Sequence, residues 1–274
     1  MPADDDDLER EYSPSSRVGG SSAPFVADYE QRSATASRAL AGVEDVLADG
    51  TRLVPAAAGA PLLVFIHGGY WQALSAAAST YLAPGARALG WSYAALEYTI
   101  APAGSVATMV DECRHGLAAV VDRLAVAGRP RVLVLAGHSA GAHLASMLAI
   151  AGDPPVPVAR VVLVSGVFDL RPLVRTTVND PLHLDDASAS LLSPMLLGVT
   201  PACVDGRTEV IVAWGDNDTG AFAHQSRRYA GVLRQAGVRV SDIECAGRHH
   251  FDIVDELVRP ETALGSAAVG AWLA

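Results

Sequence analysis

The pentapeptide Gly137-His138-Ser139-Ala140-Gly141 has the spacing of a serine nucleophile carried on a tight turn. A serine hydroxyl attacks poorly unless it is held clear of its own chain and next to a base. A turn that joins a strand to a helix does the first and places the oxygen at a helix N-terminus, where negative charge is favoured. The context is right: an apolar run over Arg131–Ala136 precedes the motif and a helical pattern follows through Ile150. Such a turn strains the serine backbone and tolerates only small neighbours, a condition met by Gly137, Ala140 and Gly141.

Acyl transfer also needs main-chain N–H donors for the developing oxyanion. Ala140, directly after the serine, supplies one. His67-Gly68-Gly69-Tyr70-Trp71, at the end of the apolar run Leu62–Ile66, offers the other through Gly68 and Gly69. His67 is expected to brace this loop by hydrogen bonding. An acid and a histidine should follow the serine in chain order. Trp214-Gly215-Asp216-Asn217-Asp218 closes a strand-like run, with Asp218 favoured as the acid and Asp216 its rival. Gly247-Arg248-His249-His250-Phe251-Asp252 supplies the base, with His250 favoured over His249. A metal site at the paired histidines is a weaker reading, because HHxD matches none of the common ligand spacings. His143, one turn beyond Ser139, is expected to be a packed helix residue.

These groups need a scaffold. Strand-like runs at 62–66, 91–96, 132–135, 161–164, 210–213 and 238–243 alternate with helical patterns at 73–89, 106–126, 143–150 and 221–235, with a final helix from about 260. A further helix is expected from Pro24 to Leu40, and residues 166–205 read as irregular. Apolar runs without polar alternation mark strands covered on both faces. Strands alternating with helices give a parallel sheet. The expected fold is therefore α/β, a doubly wound, mostly parallel sheet with helices on both faces. Active sites in such sheets lie at the carboxyl ends of strands. Residues 1–22, with the run Asp4–Asp7, are expected to form a mobile arm, and 23–274 a single domain.

The length of 274 residues allows a core without disulfide or metal staples. Half of the residues are hydrophobic and 18% are charged, which excludes a chain disordered throughout. All 20 basic residues are arginine, a bias attributed to base composition. The net charge of −10 offers no footprint for nucleic acid or anionic lipid. No apolar run reaches the ~18 residues that span a bilayer, and the N-terminus has no secretory pattern, so cytoplasm is the default compartment. Cys113, Cys203 and Cys245 are an odd number at wide spacing and read as free thiols.

Taken together, HGGYW, GHSAGAHLA, Ser165-Gly166-Val167-Phe168-Asp169-Leu170, the segment Thr176–Pro181 and GRHHFDIV resemble the kynurenine formamidase (arylformamidase) family of the α/β-hydrolase fold. Glu97–Pro102 and Glu11-Tyr12-Ser13-Pro14 are similar to further segments of that family, so the likeness runs from about residue 8 to 258. It implies hydrolysis of N-formyl-L-kynurenine to L-kynurenine and formate, with no cofactor and no metal. It also implies Ser139 as nucleophile, Asp218 rather than Asp216 as acid and His250 rather than His249 as base. One departure is Thr219-Gly220-Ala221-Phe222, where the family commonly carries a Pro-Glu-Phe-like segment, so Ala221 lacks a carboxylate.

The expected partner is a small aromatic N-formyl substrate, with no nucleic acid and no membrane; the oligomeric state stays open, a homodimer included. Tyr70 and Trp71 are expected either to line the aromatic pocket or to pack over the loop. Arg171, Arg175 and Asn179 are candidates to receive the substrate α-carboxylate. A general carboxylesterase or amidase is the alternative function, although such enzymes usually carry a further small residue after HGG. A non-catalytic relative is the third reading, weakened by the presence of all three triad residues.

Overall fold

The structure, a computed structural model, describes residues 5–204 and 206–270. Eight strands form one sheet: β1 (Asp45–Val46), β2 (Arg52–Val54), β3 (Leu62–Ile66), β4 (Ser92–Leu96), β5 (Leu133–His138), β6 (Arg160–Val164), β7 (Glu209–Gly215) and β8 (Val240–Cys245). Their spatial order is β1-β2-β4-β3-β5-β6-β7-β8. The β1–β2 and β2–β4 pairs are antiparallel and every other pair is parallel. The expected alternation holds, with β1 and β2 added. Those two strands have two and three residues, too short to show a period.

The chain steps from β3 outward to β4, returns past β3 to β5, and then runs in the other direction to β8. The winding thus reverses between β3 and β5, which leaves a crevice at their carboxyl ends. The Gly-rich loop after β3 and the serine turn after β5 flank that crevice. Register places Ile66 beside Gly137.

Helices cover both faces: α1 (Asp5–Glu11), α2 (Ala23–Ala39), α3 (Ala83–Ala88), α4 (Val106–Ala125), α5 (Ala140–Ala149), α6 (Asp186–Leu191), α7 (Pro201–Val204), α8 (Gly220–Gln235) and α9 (Ala263–Ala268). Leu62, Val64 and Ile66 of β3 join one core with Met109, Leu117 and Leu233 of α4 and α8. Leu63 and Phe65 join the other with Tyr29, Ala86 and Leu264 of α2, α3 and α9. Every residue of β3, β4 and β6 is buried, which explains the apolar runs of β3 and of β4 and β6 after their polar first residues, Ser92 and Arg160. Edge strand β8 instead exposes Ser241, Asp242 and Glu244, polar groups that discourage pairing with another chain.

The helical stretch expected over 73–89 is a 3₁₀ segment (Ala77–Leu82) running into α3, with Pro84 in the first turn of α3, where its missing N–H costs nothing. Residues 166–204 hold short 3₁₀ turns with α6 and α7, and residue 205 lies outside the described residues.

The expectation of a mobile arm over 1–22 is corrected from residue 5 onward; residues 1–4, Asp4 included, lie outside the described residues. Asp5, Asp6 and Asp7 occupy the first turn of α1, where carboxylates oppose the helix dipole. Tyr12 and Pro14 are buried. The segment reads as polar because its carboxylates and carbonyls face hydrogen-bond donors elsewhere in the protein. Among the described residues no helix is long and apolar enough to cross a membrane.

Candidate active site

Ser139 sits between the end of β5 and the start of α5 with φ 55° and ψ −117°. Its N–H donates to Val164 O at 2.8 Å, anchoring the turn to β6. A Cβ on Gly137 would lie 2.1 Å from Gly141 O, and one on Gly141 would lie 2.0 Å from Ile66 O. Side chains at these two positions would collide with main chain, which cannot yield as a flexible side chain can. Ala140 opens α5, so its N–H is among those a helix leaves without an internal acceptor.

The loop after β3 lies against this turn. A Cβ on Gly68 would stand 3.1 Å from Ser139 Cβ and 3.0 Å from His138 O. Gly69 has φ 94°, and its carbonyl accepts from the N–H groups of Gln72 and Ala73 at 2.9 and 3.0 Å. Tyr70 and Trp71 follow at φ 51° and 61°, left-handed backbone that costs about 1–2 kcal/mol per residue. The loop is held against that cost. His67 Nδ1 donates to Gly68 O at 2.9 Å, and the His67 ring stacks on Tyr98. The Tyr98 hydroxyl lies 3.0 Å from His67 O and 3.1 Å from Gly68 O. His67 thus braces the loop, as its position suggested.

Asp218 and His250 are both buried, and His250 Nδ1 donates to Asp218 Oδ2 at 3.1 Å. Burial pushes the Asp218 carboxyl up, but the neighbouring His250 and the Thr219 N–H outweigh it and hold it below the ordinary carboxylate value. The two loops are joined by main-chain contacts. Asn217 N donates to Arg248 O at 3.0 Å, and Gly247 N donates to Asp216 Oδ2 at 3.0 Å. Asp216, the rival acid, is therefore a tether between the loops. His249, the rival base, accepts from the N–H groups of Phe251 and Asp252 at 3.1 and 3.3 Å and caps its own turn.

His138, Ser139 and His250 line one cavity of about 310 Å³. Gly69 and Tyr70 contribute from the loop, and Tyr29 and Phe251 add aromatic surface. The far wall comes from the N-terminal segment and from Thr177 and Val178. This wall is built of long-range hydrogen bonds. The Tyr70 hydroxyl donates to Tyr12 O at 2.5 Å. Gln225 Nε2 donates to the Tyr12 hydroxyl at 2.9 Å, and Thr219 Oγ1 donates to Glu11 O at 2.6 Å. The Glu9 carboxylate receives the Thr177 N–H at 2.9 Å and its hydroxyl at 2.5 Å. Ala221 N donates to Glu11 Oε2 at 2.9 Å, so a carboxylate does stand at the start of α8, supplied by residue 11 rather than residue 221.

Several sequence expectations are corrected here. Trp71 is fully buried, packs edge-on against His143 at 5.1 Å as part of the core and does not line the cavity. Tyr70 does line it. Arg171 is bound to Asp169 at 2.9 and 2.7 Å, and Arg175 to Asp5 at 3.0 Å. Asn179 is spent on Val174 O and on the carbonyl and N–H of Leu184. None of the three lines the cavity, so they are withdrawn as carboxylate receivers. His143 is the packed residue expected, its Nε2 donating to Leu192 O at 2.7 Å.

The three cysteines are buried and form no disulfide among the described residues. Among the described residues no three His, Cys, Asp or Glu side chains gather as a metal set. Sequence reasoning missed His138, Glu9 and Phe222, whose ring stands edge-on to His250 at 4.6 Å. Of these, only His138 carried a signal, its place beside the serine.

Comparison with known proteins identifies the fold and the family. A family described by the alpha/beta hydrolase fold matches residues 63–252. A kynurenine formamidase of Danio rerio is 32% identical over 92% of this chain and 91% of its own length. One of Drosophila melanogaster is 32% identical over 78% and 72%. The solved structure of a protein of Silicibacter sp. TM1040, proposed as a thioesterase, superposes with a TM-score of 0.81 at 25% identity, covering 94% of this chain and 97% of the other. The chain belongs to the kynurenine formamidase family of α/β-hydrolase-fold hydrolases.

Proposed function

We propose that this protein hydrolyses aryl formamides, N-formyl-L-kynurenine foremost, through Ser139, Asp218 and His250. The observation that carries this reading is that His250, bonded to the buried Asp218, lines with Ser139 one small cavity with aromatic walls. His250 takes the Ser139 proton as Oγ attacks the formyl carbon. The N–H groups of Ala140 and of the Gly68–Gly69 loop receive the oxyanion. The C–N bond breaks as His250 protonates the departing arylamine. Water, deprotonated by His250, then attacks the formyl ester and releases formate and free Ser139. Asp218 keeps Nδ1 protonated, leaving Nε2 to move the proton, and stabilises the imidazolium.

A volume of about 310 Å³ lies at the lower end of small-molecule pockets. It favours an acyl group as small as formyl beside one aromatic ring. The test is a comparison of kcat/KM for N-formyl-L-kynurenine and p-nitrophenyl acetate, with and without a chelator. At least tenfold preference for the formamide, unchanged by chelation, is expected. A preference for the ester would replace this reading with a general carboxylesterase, and loss of activity on chelation would reject the metal-free serine mechanism.

A further inference from the structure

His138 is the last residue of β5, immediately before Ser139. It is buried, its ring centre lies 4.8 Å from that of His250, and its Nε2 is 2.7 Å from the main-chain oxygen of His250. A carbonyl oxygen only accepts, so Nε2 carries the hydrogen. We infer that His138 is the positioning residue of the base: its bond to the His250 carbonyl fixes the base loop against the strand end that carries the nucleophile.

Each partner is adjacent to, or is, a residue of the proposed proton relay. The other bonds to this loop lead elsewhere. Asn217 and Asp216 tie residues 247–248 to the end of β7, and the Tyr29 hydroxyl ties Phe251 to α2. The His138 bond ties the loop to β5. It therefore sets a relation that the Asp218 bond does not, namely how far the His250 ring stands from Ser139. Asp218 fixes the ring from the β7 side and His138 fixes its main chain from the β5 side.

The charge state of His138 suits this work. Burial, reinforced by the nearby His250, pushes its pKa down to about 3. The ring stays neutral through the working range, with one N–H committed to the carbonyl. Unlike His250 it has no carboxylate on its ring, so it is not a second base.

The inference rests on the reading of Ser139 and His250 as nucleophile and base, and its test uses a reporter that does not depend on the substrate. A fluorophosphonate probe labels a base-activated serine whatever its natural acyl group. His138→Gln keeps a donor close to the position of Nε2, whereas His138→Met keeps comparable bulk without one. Both variants are compared with wild type for labelling rate, kcat, KM and melting temperature. Displacing a reacting group by about 1 Å can cost about 10²-fold.

The Met variant is accordingly expected to lose 30- to 300-fold in labelling rate and in kcat, with KM within threefold. The Gln variant should recover to within about fivefold of wild type. A merely structural role would move both variants together, along with melting temperature. Met labelled as fast as wild type, or Gln as slow as Met, overturns the inference while leaving the serine reading intact. A wild type that takes no label overturns the serine reading and this inference with it. If Met fails to fold, Gln against wild type decides: a Gln variant slowed more than tenfold at unchanged melting temperature overturns the role of the donor.

Discussion

The two halves of the cavity are held by different means. The inner half is main chain against main chain. At Gly137 and Gly141 there is no room for a methyl group, and the serine turn is locked between β3 and β6. The outer wall is side chain to main chain across long sequence distances: Glu9 to Thr177, Tyr70 to Tyr12, Gln225 to Tyr12 and Glu11 to Ala221. The inner half sets where atoms react. The outer wall sets what can reach them. A change to the inner half should act on kcat and one to the outer wall on KM or stability.

The largest effect should come from Ser139→Ala, which removes the nucleophile; kcat is expected to fall by about 10⁴–10⁶-fold with the fold unchanged by circular dichroism. Adding His250→Ala should cost little more, because the two act as a unit. Gly68→Ala comes next. Its methyl would press on Ser139 Cβ at 3.1 Å and on His138 O at 3.0 Å, displacing an oxyanion donor. A loss of about 10²-fold in kcat with little change in KM is expected. An equal rise in KM instead would break the division between the halves.

Acid, unlike a substitution, should act through stability, at two buried histidines that flank Ser139 in the chain. Burial pushes His138 and His143 down to about 3 and about 4. Both are neutral when folded, whereas the unfolded chain takes up protons below its ordinary histidine value of 6.5. Stability is therefore present above that value and lost as pH falls from 6.5 toward 4. The slope reaches at most about 1.4 kcal/mol per pH unit for each histidine. Urea unfolding at pH 7, 6 and 5 measures it, and His143→Gln should flatten it.

Smaller effects belong to the wall. Glu11→Ala removes the carboxylate at the start of α8 and should lower stability by about 1–2 kcal/mol, read as a lower melting temperature with kcat nearly unchanged. Glu9 is an anionic group on the cavity wall, and no arginine lines the cavity among the described residues. An amino-acid substrate should therefore turn its ammonium toward Glu9. Glu9→Gln is expected to raise KM for N-formyl-L-kynurenine two- to threefold and leave that for neutral formanilide unchanged. Equal shifts in both would remove this distinction.

The same division explains what the sequence could disclose. Ser139, the two glycines around it, and Gly68 and Gly69 were legible because steric limits restrict which residue types can stand there. β3, β5 and β6 were legible because burial on both faces leaves unbroken apolar runs. Asp218 and His250 were favoured from their places after the strands and the family resemblance supported that choice, yet Asp216 and His249 stand two and one positions away with the same chemistry. What separates them is the bond that only folding makes: Asp216 to Gly247, Asp218 to His250. The wall was misread as a mobile arm because its polar residues bind partners that no local pattern announces. Trp71 was undecided between pocket and core because Tyr70 and Trp71 are adjacent aromatics with the same left-handed backbone, and only the packing of Trp71 on His143 separates them.

The contacts of Glu11 bear on biosynthesis. Its partners Thr219 and Ala221 lie 208 and 210 positions further along the chain. During translation this wall segment can dock only after Thr219 and Ala221 have been made. A nascent chain halted before α8 would hold the serine turn complete yet lack both the enclosed chamber and His250, so catalytic competence arrives late, once α8 and the His250 loop have joined the earlier strands.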